Sequence, residues 1–144
     1  MHGQASGRPW HIWVVGVSAA LWNGVGAFDY SMTETRNARY MAGFAPDELA
    51  YFYDFPDWAV GAWALGVWGG LAGALLLLLR SRWAVHAFVL SLVGLAGMTT
   101  YQMTHTVPAS FRTTASLGLT AAIWTIAGLL LWYAMAMRGR GVLR

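Results

Sequence analysis

The residues of this chain that could carry chemistry are concentrated in one polar stretch, residues 28–57. This stretch contains every acidic side chain of the sequence, and two arginines, Arg36 and Arg39, lie among them. Apolar segments long enough to cross a bilayer flank it on both sides. We therefore expect any binding site to include residues of this stretch. The acidic residues are Asp29, Glu34, Asp47, Glu48, Asp54 and Asp57.

Asp29 is the leading candidate within this stretch, because an ionisable side chain at the edge of a membrane segment is costly and is often functional. His105 has a similar position at the end of a later apolar segment. Hydrogen-bonding residues around both positions favour a site for a small polar solute. The alternative is structural, an ion pair of Asp29 with Arg36 or Arg39 that holds the polar stretch over the bundle. The predicted solute site consists of Asp29, Tyr30, Thr33, Arg36, Asn37, Tyr101 and His105.

Motifs that indicate an enzymatic reaction are missing from the sequence. It has no phosphate-binding glycine loop, no nucleophile elbow and no metal-ligand spacing. The absence of Cys excludes disulfides, thiolate metal ligands and a Cys nucleophile. His11 and His86 would suit a haem only if their two helices brought them together. We therefore expect a protein that is not an enzyme and has neither a metal site nor a cofactor.

Four apolar segments must position these residues. The chain is 58% apolar and 10% charged, with a mean hydropathy of +0.48, so that most of it must lie in lipid. Each segment is close to the roughly 20 residues that a helix needs to cross a bilayer. Barrel strands are disfavoured, because they would alternate in polarity over about ten residues. The predicted spans are residues 10–28, 58–79, 83–104 and 117–137, and the outer loop is residues 29–57.

The predicted fold is an all-α, integral membrane four-helix bundle that forms a single domain over residues 1–144. Within the outer loop, Pro46 followed by two carboxylates predicts the start of a short interfacial helix. Residues 26–33 and 97–104 match in Gly, Tyr, Met and Thr at the same offsets. This match favours two helical hairpins related by a parallel repeat, and chance similarity between membrane segments is the alternative. A true repeat would place Tyr30 opposite Tyr101 at the outer mouth of the bundle.

Small residues recur at helical spacing in the first two spans and predict close helix packing. The second span has the stricter pattern, with small residues at every fourth position. Its surface would suit another helix of the bundle or the seam of a dimer. The predicted packing residues are Gly16, Asn23, Ala62, Gly66, Gly70 and Ala74.

The arginines predict the orientation, because the sequence contains no lysine. Positive charge in short loops marks the cytoplasmic side, which favours cytoplasmic termini and an acidic loop outside. The net charge of +3 then indicates contact with anionic lipid headgroups and not nucleic acid. The N-terminal pattern is similar to a cleavable signal, but its apolar run continues to Phe28, so we expect no cleavage. The arginines on the cytoplasmic side are Arg8, Arg80, Arg82, Arg138, Arg140 and Arg144.

Four segments carry a resemblance that covers nearly the whole chain. They are residues 10–16, 26–37, 51–56 and the leucine-rich run ending at 80–85. They resemble a family of small four-helix bacterial inner-membrane proteins that often carry an automatic sugar-transporter label. The resemblance implies the topology and favours transport, and it implies no site residues. We therefore expect a lipid-embedded protein, forming a homo-oligomer, that binds or transports a small polar solute at its outer mouth. The alternative is a non-catalytic accessory or assembly subunit of a larger membrane complex.

Overall fold

The computed structural model describes residues 9–144, which form four long helices joined by shorter elements. Each long helix has the length and hydropathy needed to cross a bilayer, so the chain is a multi-pass membrane protein. The prediction of an all-α four-helix bundle is confirmed, while the predicted polar tail with Arg8 lies outside the described residues. The elements are α1 (Trp10–Glu34), α2 (Ala38–Met41), α3 (Pro46–Tyr53), α4 (Asp57–Leu78), α5 (Trp83–Thr104), a 3-10 turn (Ala109–Phe111) and α6 (Thr114–Gly139).

The two ends of the bundle differ in charge, because successive long helices run in opposite directions. One end carries the connections 35–56 and 105–113 and all the carboxylates; we call it the acidic end. The opposite, basic end carries five arginines around the α4–α5 turn and the end of α6. There the chain after α6 folds back, and the backbone N–H of Arg144 donates to the carbonyl of Arg80 at 2.8 Å.

Helix α1 is longer than the predicted first span, and it ends at Glu34 instead of residue 28. Its last turns are polar, and Ser31 Oγ satisfies its hydrogen-bonding capacity within the helix by donating to the carbonyl of Ala27 at 2.8 Å. The helix ends where Arg36 adopts a left-handed conformation with φ 51°. Part of the predicted outer loop is therefore helical.

The short helix predicted to start at Pro46 is present as α3. The carboxylate of Glu48 explains both where α3 starts and where α3 lies. One oxygen accepts from the backbone N–H of Ala45 at 3.2 Å, and the other accepts from the hydroxyl of Ser110 at 2.7 Å. The second bond ties α3 to the 3-10 turn, so the two connections at the acidic end form one layer.

Helices α1, α4 and α5 pack tightly because glycines let their backbones approach. A Cβ added to Gly94 of α5 would lie 2.5 Å from the carbonyl oxygen of Ala62 on α4, closer than real atoms allow. A Cβ on Gly70 of α4 would overlap the side-chain oxygen of Asn23 on α1. The predicted glycine surface of α4 is thus occupied within the chain, and a dimer would need a different surface.

Of the other three predicted packing residues, Gly66 faces the backbone of α5, with the backbone nitrogen of Leu95 3.6 Å from an added Cβ, and the other two lie toward the basic end. Gly16 of α1 faces the side chain of Leu78, and Ala74 of α4 is completely buried.

Helix α6 is held differently from the other three long helices. It packs mainly along α5, and it meets α1 at the basic end, where His11 and Tyr133 are in edge-to-face contact. Its middle is fixed by Trp124, whose ring N–H donates to the hydroxyl of Thr99 at 3.2 Å. The predicted repeat relates α1 to α5 and α4 to α6, so it would make the α1–α6 contact equivalent to the α4–α5 contact. The α4–α5 packing is extensive and the α1–α6 contact is not, so the packing lacks the two-fold symmetry of the repeat.

Candidate functional site

A cleft of about 460 Å³ lies in the acidic half of the bundle. It exists because α1 and α6 touch at the basic end and separate toward the acidic end, where α6 follows α5. Helices α4 and α5 form its floor, and α1 and α6 form its walls. Apolar side chains provide most of the lining; among them are Trp22, Val25, Trp63, Val67, Phe88, Leu95, Met98, Leu119, Ile123, Ile126 and Leu130.

Polar groups line this cleft at its mouth, where Asp29 of α1, Tyr40 of α2 and Gln102 of α5 are found. The hydroxyl of Tyr40 donates to the carboxylate of Asp29. The Tyr40 ring is positioned by edge-to-face contact with Phe28, with ring centroids 5.7 Å apart, and by Phe44 at 6.2 Å. The mouth therefore presents one carboxylate with a fixed hydroxyl donor beside it.

Asp29 also changes the acidity of its partner. The hydrogen bond to Asp29, burial, and the negative charge of Asp29 together raise the pKa of Tyr40 from 10.0 to about 12. Tyr40 is thus neutral across the physiological pH range and remains a hydrogen-bond donor.

A second group of polar residues lies deeper, where α1, α4 and α5 cross. Asn23 donates from its side-chain nitrogen to the carbonyl of Ala19 at 2.9 Å, and its oxygen packs on Gly70. The hydroxyl of Ser91 donates to the carbonyl of Gly66 at 2.6 Å. Both side chains line the cleft. The Ser91 bond joins α5 to α4, whereas the Asn23 bond lies within α1 and Asn23 meets α4 only by packing on Gly70.

The expected ion pair between Asp29 and a loop arginine is replaced by the Tyr40 contact. Arg36 instead places its guanidinium 4.2 Å from the centre of the Tyr53 ring. The physical reason is the left-handed turn at Arg36, which redirects the chain at the end of α1. Along the described residues no arginine lines the cleft, and Asp29 is its one formally charged group.

The other predicted site residues do not converge on Asp29. Thr33 is buried, with 2% of its surface exposed, and Asn37 caps α2 by accepting from the N–H of Tyr40 at 3.0 Å. Tyr30 packs edge-to-face on Trp63 at 5.0 Å. Burial of Thr33 and the contacts of Asn37 and Tyr30 explain these residues without a solute.

Tyr101 and His105 belong to a different, more open hollow of about 540 Å³. Their rings stack, with centroids 4.1 Å apart, and the Nδ1 of His105 lies 3.0 Å from the carbonyl oxygen of Tyr101. Tyr51 lines the same hollow, and its hydroxyl is buried without a hydrogen-bond partner among the described residues. Burial, followed by the influence of Tyr101, raises the pKa of Tyr51 to about 12.

A cluster of aromatic rings separates the two sites. Trp63 contacts Phe55 at 6.0 Å, and Phe55 contacts Tyr101 at 4.9 Å. Tyr30 packs on Trp63 and, within residues 9–144, makes no ring contact with Tyr101, so the pair expected from the repeat is not formed. The sequence-predicted site is therefore divided, with Asp29 in the cleft and the Tyr101–His105 pair in the hollow.

The two histidines considered for haem have separate partners. His11 is within hydrogen-bonding distance of the Tyr133 hydroxyl, and His86 packs against Trp83 with ring centroids 4.8 Å apart. Within residues 9–144 no group of three or more His, Cys, Asp or Glu side chains is arranged to hold a metal ion.

Family models, curated proteins and solved structures gave no match to this chain. The family resemblance of the sequence therefore stays a prediction, and the functional argument depends on the geometry of the cleft.

Sequence reasoning missed Tyr40, Gln102, Trp22 and Trp63 as members of a site with Asp29. One signal was available, because Trp22 lies seven residues, or two helical turns, before Asp29 and so shares its face. No local pattern connects Tyr40 to Asp29, since a turn in the loop brings them together.

Proposed function

We propose that this protein binds a small amphipathic molecule within the membrane and that the cleft is its binding site. The observation that carries the proposal is the cleft itself, about 460 Å³ in volume, apolar along its walls and polar at its mouth. Ligand sites typically have volumes of roughly 300–1,000 Å³, with mostly apolar linings and a few convergent polar groups. A strongly polar solute such as a sugar would find too few hydrogen-bond partners along these walls.

The same proposal includes the kind of membrane and the orientation of the chain within it. Five of the described arginines lie at the basic end, and this distribution supports cytoplasmic termini. The resemblance of the sequence favours a bacterial inner membrane. The mouth with Asp29 and Tyr40 would then open on the outer side. Transport would need the basic end to open as well, where His11 and Tyr133 join α1 to α6.

The test is whether an amphiphile accompanies the purified protein. Ala127 lines the cleft on α6, so Ala127→Phe should fill it. Ala121, on the exposed side of the same helix, supplies the matched control Ala121→Phe. We expect mass spectrometry of solvent extracts to find one or more molecules enriched with the wild type and Ala121→Phe but lost from Ala127→Phe. Identical extracts from all three proteins would contradict the proposal.

A second candidate, an accessory subunit of a membrane complex, is favoured by the outer surface of α6. Nothing lies within 4 Å of a Cβ added to Gly118 or Gly128, and Thr125 between them is exposed. Small residues of this kind commonly lie at contacts between membrane helices. Affinity purification in mild detergent distinguishes the candidates, because a subunit should retain heterologous partners in fixed stoichiometry and an autonomous binding protein should not.

A further inference from the structure

The charge of the cleft restricts what its ligand can be. Among residues 9–144, Asp29 is the one formally charged side chain that lines it, and the Tyr40 hydroxyl supplies a hydrogen bond but no positive charge. An uncompensated carboxylate at the edge of hydrocarbon is unfavourable. An anionic ligand would be repelled, whereas a positive charge on the ligand would compensate Asp29.

The aromatic side chains that line the cleft with Asp29 favour the same kind of ligand. Trp22, Tyr40 and Trp63 all line the cleft. Aromatic ring faces, those of Trp above all, attract cations that come within about 6 Å. The edge-to-face contact with Tyr30, at 5.0 Å, helps to fix the Trp63 ring.

The other residues that line the cleft indicate the polarity of the rest of the ligand. Val67, Leu95 and Ile123 present apolar walls, and Met98 adds an adaptable thioether that suits irregular shapes. The body should therefore be apolar, and the charge should be confined to the part that reaches Asp29.

We propose that the cleft binds a lipophilic organic cation, with the positive charge beside Asp29 and the rings of Trp22, Trp63 and Tyr40. This inference rests on the proposed function, since it specifies the class of amphiphile that the cleft accepts. Tyr40 acts as a positioning residue, because its hydroxyl orients the carboxylate that meets the cation.

The probes for the test are tetraphenylphosphonium and tetraphenylborate, which have nearly the same shape and opposite charges, together with neutral triphenylphosphine oxide. Binding is measured by quenching of tryptophan fluorescence in neutral maltoside micelles. We expect the wild-type protein to bind the phosphonium at least roughly tenfold more tightly than the borate or the phosphine oxide. This comparison does not depend on the folding of any variant.

Variants of Asp29 test whether its charge causes the preference for the phosphonium. Asp29→Asn keeps an oxygen that can accept from Tyr40 and removes only the charge, so phosphonium binding should weaken by roughly tenfold or more. Asp29→Glu restores a carboxylate and should recover most of the affinity. Glu34→Gln removes an exposed carboxylate from the same helix, outside the cleft, and should leave binding unchanged.

The outcomes separate this inference from the proposed function. Equal binding of all three probes, abolished by Ala127→Phe, would overturn the cation inference and leave amphiphile binding in place. Tighter binding of the borate, or phosphonium binding unaffected by Asp29→Asn, would also overturn it. Failure of every probe to bind, together with identical solvent extracts from wild type and Ala127→Phe, would overturn both proposals.

Discussion

At the scale of single residues, Asp29 and Tyr40 determine each other's chemistry. The carboxylate accepts from the hydroxyl, and this bond is the largest cause of the raised pKa of Tyr40. The hydroxyl in turn fixes one carboxylate oxygen at the mouth of the cleft. Neither residue can be altered without changing the other.

Asp29→Asn should lower the pKa of Tyr40 from about 12 toward 10.0, because the variant removes the negative charge and weakens the acceptor. Tyrosinate absorbance in the near ultraviolet measures this shift during an alkaline titration. Subtracting the titration of Tyr40→Phe isolates the contribution of Tyr40. An unchanged Tyr40 titration in Asp29→Asn would show that the hydrogen bond is not formed in the protein.

The same pair should make stability dependent on alkaline pH. A folded-state pKa above the ordinary value means that the Tyr40 contribution is fully present below pH 10.0 and is lost as pH rises toward about 12. Thermal denaturation of the wild type should therefore show falling stability over this range, with a smaller fall in Tyr40→Phe. An equal fall in both proteins would assign the loss to other groups, Tyr51 among them.

His11 and Tyr133 form the other informative pair, since they join α1 to α6 where the cleft is closed. Tyr133→Phe removes the hydroxyl and keeps the ring contact, so the free energy of unfolding should fall by about 0.5–1.5 kcal/mol. Unfolding by sodium dodecyl sulfate in mixed micelles measures this change. Tyr53→Phe is the control, because Tyr53 lies in α3, where its ring packs under Arg36, and not at the contact between α1 and α6. Equal effects of the two variants would contradict the role of the pair.

At the scale of the helices, the contact between α4 and α5 depends on glycine. Gly94 faces the backbone of α4, which cannot move aside as a flexible side chain could. Gly61 lies on the exposed side of α4, and nothing lies within 4 Å of a Cβ added there. The same substitution should therefore have opposite consequences at these two positions.

Gly94→Ala should destabilise the protein by about 1–3 kcal/mol or more, since the added methyl group would force α4 and α5 apart. Gly61→Ala should be neutral or slightly stabilising, because Ala is the better helix former. Unfolding in mixed micelles compares the two variants. Similar stability of both would mean that α4 and α5 are not in the close contact described above.

At the scale of the whole molecule, the separation of charge between the two ends predicts one orientation in the membrane. The absence of Cys makes this testable with single cysteines placed at exposed positions. Ala50 lies in α3 at the acidic end, and Gly139 lies at the end of α6 at the basic end. Ala50→Cys should react with a membrane-impermeant maleimide on intact cells without their outer membrane, and Gly139→Cys only after permeabilisation. The reverse pattern would overturn the proposed orientation.

The sequence by itself determined the number and type of the membrane helices and the start of α3. Hydropathy and length decide whether a segment lies in lipid, and backbone hydrogen bonding then requires it to be helical. The start of α3 follows from Pro46 and Glu48, which act within one turn. The extension of α1 to Glu34 was harder to predict, because residues 29–34 are mostly polar and lack the apolar signal of a membrane span.

Only the tertiary structure decided which polar residues meet. Small-residue spacing indicates which face of a helix packs but not which residue it meets, so the pairing of Asn23 with Gly70 depends on packing. The contact of Tyr40 with Asp29 depends on the turn at Arg36, and the cleft depends on α6 following α5 away from α1. These contacts join residues far apart in the chain or across a turn, and their energies arise only when whole helices are in place.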